Sequence, residues 1–172
     1  PVQQAEAQDA SGKPVAIKQG MRESLLQRFS SPKGDAPLTL VVNHLKSKGS
    51  ACFEDYPDYA TADPLDGQGH CNALRVSAAK VLGERLKEVS GDLLLIGDLN
   101  AYGMEDPIRV LTDYDPAAQP RQIMSASFTT LAGQPFEESG SALGRGYGLV
   151  NLNTGFHGTD TYSYSYEGEL GN

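Results

Sequence analysis

A chain of 172 residues, 39% hydrophobic and 21% charged, has the composition of a single globular domain, and no apolar run in it is long enough to cross a bilayer. The 22 acidic and 14 basic residues leave a net charge of −8. That balance disfavours a protein that holds nucleic acid by bulk positive charge, and does not exclude an enzyme that meets one phosphate at a time through a bound cation.

In chain order, Pro1 to Gly20 is polar, carries no signal-peptide pattern, and reads as a loop cut into rather than as a natural beginning. Leu38 to Val42 (LTLVV) is a short run of apolar and β-branched residues that predicts a buried strand delivering Asn43 and His44 at its end. From Asn72 to Val89 the apolar residues Ala73, Val76, Ala79, Leu82, Leu86 and Val89 recur every three or four positions, the spacing of an amphipathic helix. Leu93 to Ile96 (LLLI) predicts a second buried strand, leading into Gly97, Asp98 and Asn100. Strand, long loop, helix, strand implies helix layered on sheet. Asp106 reads as an N-cap with Pro107 at the first helical position, so a short helix is expected over Ile108 to about Thr112. Asp113 to Gly146, rich in Pro, Gly, Ser and Gln, reads as irregular connection with at most one short element. Tyr162, Tyr164 and Tyr166 alternate with serines as in a strand with an aromatic face, which is more often core or sheet surface than a platform for bases.

The two cysteines, Cys52 and Cys71, bracket a stretch dominated by Asp, Pro and Gly. A disulfide would staple a segment that has little apolar content of its own, and closing a loop near this size stabilises by about 3 kcal/mol in the chain-entropy model. Paired cysteines would place the chain in an oxidising compartment, secreted or periplasmic; two free thiols are the alternative. Zinc is a poor fit, because Cys52, Cys71 and His70 supply three ligands and no paired-cysteine motif. The acids Glu54, Asp55, Asp58, Asp63 and Asp66 could bind calcium, but they lack the regular ligand spacing of a calcium loop.

Three residues stand where chemistry is expected. His44 ends a strand among Asn43, Lys46 and Lys48, donors and cations suited to phosphate oxygens, although a strand-end histidine is commonly structural. Asp98 follows a buried strand directly, where open α/β sheets present ligand groups, and on an extended backbone Asn100 would project the same way. The plainer reading of Gly97-Asp98-Leu99-Asn100 is a turn. Arg75, near the start of the predicted helix, could steer phosphate or serve a structural ion pair.

Four blocks, NHLKSKG at Asn43 to Gly49, NALR at Asn72 to Arg75, GDLNAY with EDPI between Gly97 and Ile108, and YSYSYEGELG at Tyr162 to Gly171, together resemble the endonuclease/exonuclease/phosphatase (deoxyribonuclease I-like) superfamily. The likeness is greatest to its bacterial extracellular nucleases, the NucH/ExeM-like group. The resemblance implies a four-layered α/β sandwich, two mixed sheets face to face with outer helices, of which residues 1–172 hold the central and later part. It also implies hydrolysis of nucleic-acid phosphodiesters, DNA first and RNA second, with Mg2+, Mn2+ or Ca2+. In that reading His44 donates to the scissile phosphate, Asp98 orients or deprotonates the attacking water, and Asn100 stabilises the pentacovalent state. Asp98 and Asn100 are also the candidate metal ligands, while Asn43, Lys46 and Arg75 are candidate phosphate contacts. A phosphomonoesterase or sphingomyelinase of the same superfamily is the alternative, as is a half-domain that only binds or complements.

The resemblance is incomplete. The family's glutamate metal ligand and a further asparagine would precede Pro1, and its second catalytic histidine would follow Gly171-Asn172. The expectation is therefore a partial domain, inert alone and completed by the remaining part of the same domain.

Overall fold

The computed structural model describes residues 6–8, 14–16, 21–49, 67–119, 122–124 and 142–157. The predicted tyrosine strand, Cys52 and the acidic stretch from Glu54 to Asp66 lie outside them.

Two short strands, β1 (Glu6–Gln8) and β2 (Pro14–Ala16), pair antiparallel. The amino-terminal segment read as loop therefore contains a ribbon, one too short to leave a hydrophobic alternation in the sequence. The main sheet has three strands, β3 (Leu25–Phe29), β4 (Leu38–His44) and β5 (Asp92–Asp98), in the order β3-β4-β5. Strands β3 and β4 run antiparallel, and β4 and β5 run parallel. Parallel neighbours need a crossover, which helix α1 (Asn72–Leu86) supplies. Helix α2 (Asp106–Leu111) follows β5, and α3 (Leu152–His157) comes last.

Side chains alternate across a strand, so register assigns each to a face. Thr39, Val41 and Asn43 share one face with Leu93, Leu95 and Gly97. This face is covered: Val41 packs with Val76, Ala79, Leu82 and Leu86 of α1, and with Val110 and Leu111 of α2, Tyr114, Ile123 and Leu143. Four of the six apolar positions of the predicted helix are buried there. The helix stops at Leu86, three residues earlier than its pattern suggests, because Gly91 turns the chain into β5 at φ 91° and Val89 folds back against the core.

The opposite face carries Leu25 and Phe29 of β3, Leu38, Leu40, Val42 and His44 of β4, and Leu94, Ile96 and Asp98 of β5. No described residue covers it. Leu25, Phe29, Leu38, Val42 and Ile96 range from 37% to 65% exposed. The α/β class holds; among the described residues the sheet has helices on one side and no second sheet on the other.

Helix α2 begins at the predicted cap itself, one residue before the predicted first helical position. Glu105 is its N-cap, Asp106 lies inside the first turn, and Pro107 comes second. The shift has a cause: the buried Asp106 carboxylate accepts hydrogen bonds from Gln68 Nε2 and Asn72 Nδ2, both 3.0 Å, so it binds α2 to the start of α1 instead of capping its own helix.

Candidate active site at the carboxyl edge of the sheet

Because β4 and β5 are parallel, their carboxyl ends lie at one edge, and the register pairs His44 with Asp98. Both project onto the uncovered face. Their Nε2 and Oδ2 atoms are 3.8 Å apart, and both side chains are about half exposed. This is too long for a hydrogen bond. It is a spacing from which a catalytic contact can tighten when a substrate excludes water.

The edge is held by backbone geometry. Leu45 N–H donates to Asp98 O at 2.9 Å, extending the parallel ladder one step past both strands. Gly97 lies opposite Asn43 with φ 120°, and a Cβ there would fall on the Asn43 carbonyl oxygen. Only glycine lets the two backbones approach this closely, so the residue preceding Asp98 sets where that carboxylate sits.

Asn100 is reached by a turn and not by strand alternation. Its φ is 45°, a left-handed conformation that asparagine tolerates, and its N–H donates to Asp98 Oδ1 at 2.9 Å. Its Nδ2 donates to Leu45 O at 3.0 Å. The extended projection expected from sequence is thus replaced by a tight turn, and Asn100 ties β4 to β5 while fixing one oxygen of Asp98. His44, Asp98 and Asn100 are brought together.

The other candidate residues are placed differently. Asn43 is buried on the helix-covered face, where its Oδ1 accepts from Ser24 Oγ and its Nδ2 lies 3.5 Å from Val41 O. It is directed away from His44. Arg75 is fully buried, and its guanidinium donates to the carbonyls of Lys46 at 3.2 Å, His70 at 2.6 Å and Gln68 at 2.8 Å. It anchors the segment after β4 to α1, the structural side of the sequence reading. Cys71, also buried, is disulfide-bonded. It adopts the left-handed conformation just ahead of α1, at φ 65°.

Sequence reasoning missed a second cluster beside this edge. Lys48 Nζ lies 2.5 Å from Glu105 Oε1 and 3.8 Å from the centroid of the Tyr102 ring, while Tyr102 N–H donates to Glu105 Oε2 at 3.2 Å. Burial pushes the Glu105 carboxyl above its ordinary value, against the opposing pull of Lys48. The only signal in the sequence was that the three residues lie inside NHLKSKG, GDLNAY and EDPI, and no spacing rule joins them.

For a cation, the edge offers hard oxygen donors: the Asp98 carboxylate and Asn100 Oδ1, which makes no hydrogen bond to a described residue. These suit Mg2+, Mn2+ or Ca2+ better than a soft metal. Among the described residues no three His, Cys, Asp or Glu side chains gather into a metal cluster.

No family model, curated protein or solved structure matches the chain.

Proposed function

We propose that the chain belongs to a secreted or periplasmic divalent-metal-dependent phosphodiesterase that cuts nucleic acid, DNA foremost, with His44 and Asp98 as its reacting pair. The observation that carries this reading is the pairing of His44 with Asp98 in one register at the carboxyl ends of two parallel strands. Ligands of open α/β sheets bind at such edges.

In-line attack on phosphorus needs a placed water, donors for charge growing on the phosphoryl oxygens, and compensation of that charge. Asp98 Oδ2, with its partner oxygen fixed by Asn100, orients or deprotonates the water. His44 donates to a phosphoryl oxygen. Asn100 has its N–H and Nδ2 engaged within the protein, so it contributes Oδ1 and the rigidity of the turn. A divalent cation held by Asp98 and Asn100 would supply charge compensation on the phosphate.

The bare face supports a second layer. Burying a Leu, Ile, Phe or Val side chain fully is worth about 1.5–3 kcal/mol, and five such side chains are left exposed on that face. A second sheet laid over it would give the four-layered sandwich and bring further ligands to the edge where His44 and Asp98 stand. The catalytic reading extends to the longest native polypeptide that contains these residues.

The test compares that polypeptide on supercoiled plasmid and on p-nitrophenyl phosphate, with magnesium and with chelator. The reading expects chelator-sensitive nicking and little monoester hydrolysis. Monoester hydrolysis without nicking would shift the assignment to a phosphomonoesterase, and metal-independent nicking would overturn it.

A further inference from the structure

His44 and Asp98 do not hold each other. Their Nε2 and Oδ2 atoms lie 3.8 Å apart and both side chains are about half exposed, so their separation is set by the two chain segments that leave β4 and β5. Those segments are tied outward in steps. Leu45 N–H donates to Asp98 O at 2.9 Å, Asn100 Nδ2 donates to Leu45 O at 3.0 Å, and Lys48 Nζ then reaches Glu105 Oε1 at 2.5 Å.

The last of these ties is built from both sides. Glu105 divides its carboxylate: Oε1 takes Lys48 and Oε2 accepts from Tyr102 N–H at 3.2 Å, while Glu105 N–H donates back to Tyr102 O at 2.9 Å. The Lys48 ammonium lies 3.8 Å from the centroid of the Tyr102 ring, and its carbonyl accepts from His70 N–H at 3.1 Å. A Cβ at Gly69 would come within 2.9 Å of Lys48 Cβ, so glycine leaves room for the lysine against the entry to α1. Tyr102 is thereby fixed two residues beyond Asn100, whose N–H holds Asp98 Oδ1. Glu105 is only 7% exposed. A buried ion pair gives little net stability over apolar groups of the same size, because both charges lose hydration. What it supplies is a directed, charge-assisted bond between two particular points of the chain.

We infer that Lys48 and Glu105 are a positioning pair: they hold the segments beyond β4 and β5 together and so set the distance between His44 and Asp98 from outside the reacting group. The pair's catalytic consequence rests on the phosphodiesterase reading, whereas its hold on the edge does not. The Lys48 charge is thus answered within the protein and not by a phosphate.

The test uses the longest native polypeptide and two measurements, steady-state nicking of supercoiled plasmid and site-resolved amide hydrogen exchange. Lys48→Met keeps the stem and removes the charge, but it leaves Glu105 buried without its cation and so also destabilises. The double variant Lys48→Met/Glu105→Gln removes the stranded carboxylate. Its melting temperature should return toward wild type while kcat stays about 10- to 100-fold low with KM nearly unchanged, the pattern of misplaced reacting groups. In that variant the Leu45 amide, which bonds Asp98 O, should exchange about 10-fold faster, with the amides inside α1 unaffected. Lys48→Arg keeps a cation for Glu105 and should retain most of the wild-type kcat. Lys87→Met is the control: it removes an exposed lysine that likewise pairs with a glutamate, Glu84, and lies over a tyrosine, Tyr147, at the opposite end of α1 from His70. It should change neither measurement. Recovery of kcat together with melting temperature in the double variant would make the pair merely structural and overturn the proposal. So would a loss in KM alone, which would make Lys48 a substrate contact, or wild-type exchange at Leu45. A wild type that does not nick sinks the phosphodiesterase reading only, and the Leu45 exchange rate then decides the pair's hold on the edge.

Discussion

At the residue scale, the edge is built by contacts that fix the backbone around His44 and Asp98. Gly97 permits the close approach of β4 and β5, Asn100 locks the turn, and Arg75 satisfies three carbonyls of the loops behind His44. Glu105 gives this scale a pH signature. Its folded-state pKa is raised, with burial as the leading cause. A carboxyl raised on folding is a net cost when ionised, so its contribution is most favourable below the unfolded value and is lost as pH rises through the folded one. Glu105→Gln removes that titration. Relative to this variant, the wild type should therefore gain stability between about pH 7 and about pH 4, a window spanning the ordinary glutamate range. Urea midpoints at the two pH values check it. A gap that is constant, or that moves in the variant's favour on acidification, would show that the Lys48 ion pair outweighs burial.

At the element scale, what was legible in the sequence was periodic and local. The α1 stripe is a period signal, and the two short apolar runs at β4 and β5 place Asn43, His44 and Asp98 at strand ends because a strand that enters the core must also leave it. Strand β3 carried no such signal: Leu25 to Phe29 alternates poorly, and all five residues are exposed. Helix α3, six residues long, is below what periodicity can show. The shift of the α2 cap and the turn at Asn100 were illegible because each is decided by partners distant in sequence, Gln68 and Asn72 for Asp106, and Leu45 for Asn100. Tertiary context also decides Gly83, in the body of α1. Alanine there would gain about 1 kcal/mol of helix propensity. Yet its Cβ would fall within the Tyr147 ring, which lies on the helix and donates its hydroxyl to Glu84 at 2.7 Å. Overpacking of that kind costs roughly 1–3 kcal/mol, so the clash wins. Gly83→Ala should lower the melting temperature, and pairing it with Tyr147→Ala should reverse part of the loss. A Gly83→Ala protein more stable than wild type would mean that the ring moves aside without penalty.

At the scale of the whole molecule, the two faces of one sheet differ. One carries the core with α1 and α2; the other presents leucine, isoleucine, valine and phenylalanine, with His44 and Asp98 at its carboxyl end. An apolar sheet face of this kind is ordinarily covered by a second layer. The phosphodiesterase proposed above draws on that asymmetry and on the paired histidine and carboxylate for support.

The central claim is that His44 and Asp98 act on one reacting phosphate as a unit, and a double-mutant cycle on the nicking rate of the longest native polypeptide tests it most directly. Each of His44→Ala and Asp98→Ala should slow chelator-sensitive nicking by about 100-fold or more, and the double variant should be little slower than the worse single one, as for groups that work together. Multiplying losses would mean that the two residues act independently, and undiminished nicking in either single variant would contradict the account.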